Sequence, residues 1–261
     1  MRAGSKAREL ILLHGGGGFT PKNISGLALW MQADDLAGDD GDAIASWVSK
    51  EGNNYSFAQA DADKKPLLKK AANGINGRNV VRFDGTNDLL VLGSAPLTGE
   101  TGTVIAVYRL TSTLGNYQHI LSSCDEASVN FTMRFMAAYD GAGKPIAISK
   151  NGGGIDEVKG STTISAEAVY CAVYQSNGIA YTARVNKTAQ TFTIVAGGNN
   201  GAWFGDIANR DNTTIGSLKR TTEAAFLKGD LAELIVYNSA LSSAQITNVE
   251  RYLEDRYGNF F

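Results

Sequence analysis

The chain has 261 residues, of which 43% are hydrophobic and 19% charged, with a formal charge of −2. That balance excludes a disordered polypeptide and argues against a general nucleic-acid binder, which would carry a basic face. No apolar run approaches the roughly 18 residues that a membrane helix needs, and two cysteines do not make a disulfide scaffold.

Residues 1–20 differ in character from the rest of the chain. A mixed-charge segment carries one apolar run, Leu10, Ile11, Leu12 and Leu13, and then four consecutive glycines, Gly15 to Gly18. The run is shorter than the 7 to 15 or so residues of a secretory core, so the expectation is synthesis in the cytoplasm without export. Either this stretch is a plain tail, or it is an attachment arm whose four aliphatic residues dock on another protein. Residues 21–261 are expected to form one domain.

From Ile24 onward strand signals dominate. Asp34, Asp35, Asp39, Asp40 and Asp42 form an acidic cluster whose spacing does not fit a calcium loop with a closing glutamate. The run Lys64 to Lys70 is expected to be a solvated loop. Residues 74–90 place two turns, Asn76-Gly77 and Asp84-Gly85, around one short apolar strand. Asp84, Asn87 and Asp88 could donate oxygens to Ca²⁺, but three oxygens fall short of the six to eight or so it takes. Turn chemistry explains the same residues, because Asp and Asn bond their own backbone.

Thr103 to Tyr108 is apolar on both faces, as a central strand covered on each side would be. Phe131, Met133 and Phe135 alternate with Thr132 and Arg134, the period of two expected of a sheet. Cys171 sits inside an apolar run and is expected to be a buried free thiol, whereas pairing of Cys124 stays open. Asn177-Gly178 separates two strand-like runs and predicts a hairpin. Near the end, Ala232, Leu234 and Val236 are expected on one face of a strand, with Leu231, Glu233, Ile235 and Tyr237 on the other. A half-buried Glu233 then needs a partner. Ser242 and Gln245 form a capping box, Ile246, Val249, Leu253 and Tyr257 an apolar stripe, and Gly258 a C-cap, which predicts a helix over 242–258 packed on the sheets. Many strands separated by turns, with no helical crossovers, predict an all-β antiparallel sandwich.

Several segments resemble, in order, the bacterial and phage branch of the laminin-G-like, concanavalin A-like jelly-roll superfamily. They are residues 24–34, Ala45-Ser46-Trp47 with Gly52-Asn53, the stretch through Arg82-Phe83-Asp84-Gly85, Ile215-Gly216, 229–238 and 240–242 with the terminal helix. Gln32 departs from the pattern, since relatives often carry an acid there. The resemblance implies a two-sheet jelly roll that binds glycans or proteins, often with calcium at the sheet rim. It further implies a phage virion component, in a tail, fibre, collar or head-surface position, anchored to other virion proteins by its arm. A secreted or surface carbohydrate-binding module of a bacterium is the alternative, and a glycoside hydrolase a weaker third. Homo-oligomers are compatible with either setting.

Catalysis is not expected. The paired carboxylates that glycosidases of this superfamily carry on one strand are missing, and His14 and His119 are the only histidines. For glycan binding the candidates are Asn199, Asn200, Trp203 and Phe204, with Tyr55 beside Asn53 and Asn54. An indole can stack on a sugar face while amides bond its hydroxyls. The competing reading is that Trp203 and Phe204 plug one end of the sandwich.

Overall fold

The computed structural model describes residues 18–112, 117–139 and 146–258, so the Leu10–Leu13 run lies outside the described residues. The strands in chain order are β1 (Leu27–Gln32), β2 (Ser46–Val48), β3 (Ser56–Ala58), β4 (Leu67–Lys69), β5 (Val80–Asp84), β6 (Leu90–Leu92), β7 (Gly102–Leu110), β8 (Gln118–Cys124), β9 (Thr132–Ala138) and β10 (Ala147–Asn151). Next come β11 (Ile155–Lys159), β12 (Val169–Ser176), β13 (Tyr181–Val185), β14 (Thr188–Ala189), β15 (Thr193–Ala196), β16 (Asn212–Ile215), β17 (Leu218–Lys219), β18 (Glu223–Ala224) and β19 (Lys228–Tyr237). One helix, α1 (Ser243–Tyr257), ends the described chain.

Two antiparallel sheets face each other. The first has the order β14-β13-β12-β7-β19-β5-β4, and β1 also pairs with β19. Because β5 takes Lys228 to Leu231 and β1 takes Glu233 to Tyr237, these two lie end to end along one side of β19. The second sheet has the order β15-β11-β10-β9-β8-β16-β6-β3-β2. The pair β17–β18 is separate.

The core between the sheets holds alternate residues of each strand: Val104, Ala106 and Tyr108 from β7, Met133 and Phe135 from β9, Tyr181, Ala183 and Val185 from β13. The residues between those of β7, Ile105 and Val107, enter a second core under α1, with Trp30, Ile235, Tyr237, Ile246, Val249 and Leu253. The centre of the first sheet is therefore covered on both faces, which is why β7 is apolar from Val104 to Tyr108. The Ser242 hydroxyl accepts from the Gln245 amide at 3.3 Å and the Gln245 side chain accepts from the Ser242 amide at 2.9 Å, so the capping box starts the helix. Gly258 caps it at φ +86°.

One expectation fails in β19. Against β7 the register slips between Leu231 and Glu233, leaving Ala232 as an extra residue. That bulge shifts the alternation by one: Leu231 joins Leu234 and Val236 in the inter-sheet core, while Ala232 turns to the helix side with Ile235 and Tyr237. Strict alternation misplaces both residues.

The turn at 75–78 matches its sequence. Ile75 and Arg78 exchange backbone bonds of 3.1 and 2.9 Å, and Asn76 and Gly77 take φ of +47° and +74°, the type I′ geometry. The Asn177 amide likewise donates to the Ala180 carbonyl between β12 and β13. Cys124 and Cys171 are both free and buried, which resolves the pairing left open by the sequence.

Removing a buried side chain of α1 leaves a cavity against the sheet. Leu253→Ala is expected to lower unfolding free energy in urea by about 2–5 kcal/mol. The exposed neighbour Asn248→Ala should stay within about 0.5 kcal/mol.

Candidate functional site

Trp203 and Phe204, singled out in the sequence as sugar contacts, are fully buried. They pack edge-on to each other and against Phe135, with ring centroids 4.9 Å apart for Trp203–Phe135. They plug the sandwich and offer no ring face to a sugar, so the glycan role expected of them is corrected. Their position suits Gly102, where any side chain would collide with the Trp203 indole. Asn199 brackets the backbone of Tyr181, accepting from its amide at 2.6 Å and donating to its carbonyl at 3.2 Å. The Asn200 amide donates to the Asp156 carboxylate at 2.9 Å, which also accepts from the Gly198 amide. Both asparagines hold the loop in shape. Tyr55 is half-buried against the core.

The acidic groups are also spent internally. Asp84 accepts from the amides of Thr86, Asn87 and Asp88, and Asp88 accepts from the Asp84 amide at 2.8 Å. Burial pushes the Asp88 carboxyl up to about 6. Asp34 takes Arg256 and the Asn79 amide, Asp35 takes Lys50, and Asp40 takes the Lys70 amide. Among the described residues no three Asp, Glu, His or Cys side chains converge as a metal site. Asp230, fully buried, receives Arg82 at 2.7 and 3.0 Å and Arg109 at 3.1 Å. Glu233 receives Trp30 Nε1 at 2.6 Å, Gln32 Nε2 at 3.1 Å, and the hydroxyls of Tyr252 and Tyr257 at 3.1 and 2.8 Å. Burial raises its pKa, opposed by these donors and by Arg256.

A different set of residues forms a cleft. On the second sheet, Leu121, Phe135, Ile148 and Val158 face the core, so their neighbours face outward. Register then lines up Ser122, Arg134, Ser149 and Glu157 in one row across β8, β9, β10 and β11. The next row holds His119, Met136, Ala147 and Lys159. Serine and alanine beside a long arginine leave a trough. The β17–β18 pair walls it on one side, held by Asn212, which donates to the Lys219 carbonyl at 3.2 Å, and by the His119 amide, which donates to the Ala225 carbonyl at 3.1 Å. The result is a cavity of about 160 Å³ lined by Tyr117, His119, Arg134, Leu218, Arg220, Ala224 and Ala225.

Its charge is positive. Arg134 donates to the Ser149 hydroxyl at 2.5 Å and stands 3.9 Å from Glu157, which itself accepts from the Tyr139 hydroxyl at 2.7 Å. Arg220 donates to the Val129 carbonyl at 2.9 Å. The Nε atoms of both arginines are buried without a hydrogen-bond partner among the described residues. Burial, with Arg134 and Arg220 close by, keeps the pKa of His119 well below its usual value, while its Nδ1 lies 3.1 Å from the Ser122 hydroxyl. Tyr117, 37% exposed, stands edge-on to Tyr139 at the mouth. None of these residues was singled out for binding by the sequence. Arg134 does alternate outward between Met133 and Phe135, but nothing local couples it to Arg220.

A scan against protein-family models finds no match to this sequence, and a search of curated proteins finds none either. Solved structures do match. The carbohydrate-binding domain CBM40 of the Ruminococcus gnavus IT-sialidase, bound to α2,3-sialyllactose, superposes with a TM-score of 0.53 at 16% identity, over 65% of this chain and 95% of that domain. The likeness is one of fold. The NanB sialidase of Streptococcus pneumoniae matches at a TM-score of 0.53 and 17% identity, over 63% of this chain and 26% of that one. A Trypanosoma rangeli sialidase matches at 0.55 and 12%, over 96% and 36%. The chain thus spans about a quarter to a third of those sialidases, and the jelly-roll architecture expected from the sequence is present. None of these three neighbours is a virion protein.

Two measurements check these assignments. Trp203→Ala should lower unfolding free energy by about 3–5 kcal/mol, the cost of emptying a buried indole site; a loss near zero would return the ring to the surface. Asp88 has a folded pKa of about 6, above an unfolded value near 4. Its stabilising share is therefore complete below about pH 4 and lost as pH rises through about 6. Asp88→Asn, which keeps the acceptor for the Asp84 amide, should gain stability over the parent across that window and hold the difference above it.

Proposed function

We propose that this domain is a non-catalytic carbohydrate-binding module, and that the cleft on the outer face of the second sheet takes a sugar bearing a carboxylate. The observation that carries the reading is the pair Arg134 and Arg220. Both guanidinium groups line one small cleft, and the carboxylate facing Arg134, that of Glu157, stands 3.9 Å away. A carboxylate arm in the cleft would accept from guanidinium groups, which bind planar anions well. Tyr117 offers a ring edge and a hydroxyl beside it. The cavity is smaller than the 300 Å³ or so at which ligand pockets begin, so it takes the carboxylate arm while the rest of the sugar lies outside it.

The fold neighbour bound to sialyllactose supports the same class of ligand. A binding role is also supported by the two buried carboxylates of β19, since Asp230 and Glu233 are enclosed by internal donors. This reading prefers an extracellular or cell-surface setting to the virion setting that the sequence resemblance implies. Among the described residues no helix is long and apolar enough to cross a membrane.

Calorimetric titration with α2,3-sialyllactose tests the proposal against neutral lactose. Binding of the sialylated sugar alone is expected, with Arg220→Ala weakening it at least about tenfold, or 1.4 kcal/mol, at nearly unchanged melting temperature; Arg134→Gln should weaken it as much and also cost stability, because it strips Ser149 and Glu157 of their partner. Equal binding of lactose, or no binding of any carboxylated sugar, would remove this reading.

A further inference from the structure

Strand β8 does not alternate strictly. Against β9 its register slips between His119 and Leu121, leaving Ile120 as an extra residue. Ile120 and Leu121 therefore both enter the inter-sheet core. His119, which unbroken alternation would place beside Leu121, turns instead to the outer face with Ser122. Bulges of this kind re-aim a side chain and gather beside functional sites. This one sets an imidazole in the wall of the arginine cleft.

The His119 ring is 1% exposed, and its Nδ1 lies 3.1 Å from the fully buried Ser122 hydroxyl. A hydroxyl both donates and accepts, so Ser122 can serve Nδ1 bare or protonated. Nε2 is then the ring nitrogen that remains for a ligand in the cleft. Burial keeps the ring neutral, aided by the positive charges of Arg134 from β9 and Arg220 from the β17–β18 connection. Tyr117, from the segment before β8, lines the same cavity, and Lys159 lies at the far end of the cross-strand row that His119 begins. Glu157 stands 3.9 Å from Arg134, and Cys124 on β8 is buried with its thiol pushed up to about 12. Glu126 and Glu223 are paired with Lys219 and Lys64.

We propose that His119 is a third donor to the carboxylate held by Arg134 and Arg220, and that its imidazole takes up a proton as the ligand enters. This role rests on the cleft being a site for a carboxylated sugar. In the empty cleft a third cation would meet two others in a buried place. An anion among the three offsets that repulsion and gives the Nε2 proton an acceptor, so binding raises the imidazole pKa. By linkage the proton then favours the ligand to the same extent. Affinity is unaffected by pH well above the raised pKa and climbs as pH falls through it. The arginines alone would give no such dependence, because they stay charged throughout.

Calorimetric titration with α2,3-sialyllactose at about pH 8 and about pH 5, the span over which histidine changes charge, tests this role. Running each titration in two buffers of different ionisation enthalpy counts the protons taken up. A dissociation constant at least about tenfold lower at the acid end, with net proton uptake on binding, is expected. His119→Gln should show neither effect. Glu157→Gln, which removes the carboxylate beside Arg134, should keep the uptake. In the parent protein, whose only other histidine is His14, the imidazole resonances of His119 should titrate at higher pH with the sugar bound. Binding without proton uptake, uptake that survives His119→Gln, or uptake lost in Glu157→Gln would overturn the role of His119 and leave the cleft as a carboxylate site. No binding of the sugar at either pH would remove both.

Discussion

The architecture depends on a sheet whose centre is dry on both faces. Strands β7 and β19 lie at its centre, one face against the opposing sheet and the other under α1. Such strands cannot alternate apolar with polar, and neither does. The bulge at Ala232 adjusts β19 to this double duty. It turns Leu231 inward at one end and lets Glu233 and Ile235 face the helix at the other, so one strand serves β5 and β1 in succession.

Placing a carboxylate in that dry layer is costly unless its lone pairs are filled. Glu233 is filled by residues from two elements, Trp30 and Gln32 on β1 and Tyr252 and Tyr257 on α1, with Arg256 at 3.5 Å. Gln32 shows why an amide suits this place better than an acid. Its nitrogen donates to Glu233 and to the Tyr252 hydroxyl, while its oxygen accepts from Lys50 at 2.7 Å. A second carboxylate there would repel the first. Gln32 thus adds a polar tie between helix and sheet to the apolar packing of the second core.

The same physics acts with opposite sign on the outer face of the second sheet. There two guanidinium groups share a small cleft with a histidine whose protonation burial and its cationic neighbours oppose. Short side chains, Ser122, Ser149 and Ala147, make the room, and the β17–β18 pair closes it. Arg134 bonds the Ser149 hydroxyl and Arg220 the Val129 carbonyl, and together they leave the cleft cationic.

Much of the fold was legible because its signals are local. The double-sided apolar run of β7, the alternation of β9 and β13, the Asn76-Gly77 turn and the Ser242 cap each depend on neighbours a few residues away. The site was less legible. Trp203 beside Asn199 and Asn200 has the composition of a sugar-binding loop, and only packing against Phe135 reveals it as core. What the sequence determined by itself was the period, polarity and punctuation of the strands and the helix, since backbone geometry enforces these locally. Tertiary structure alone decided which strand slips by one residue at Ala232 and which arginines meet. Register and cross-strand neighbours are set by the packing of segments distant in sequence, which no local pattern encodes.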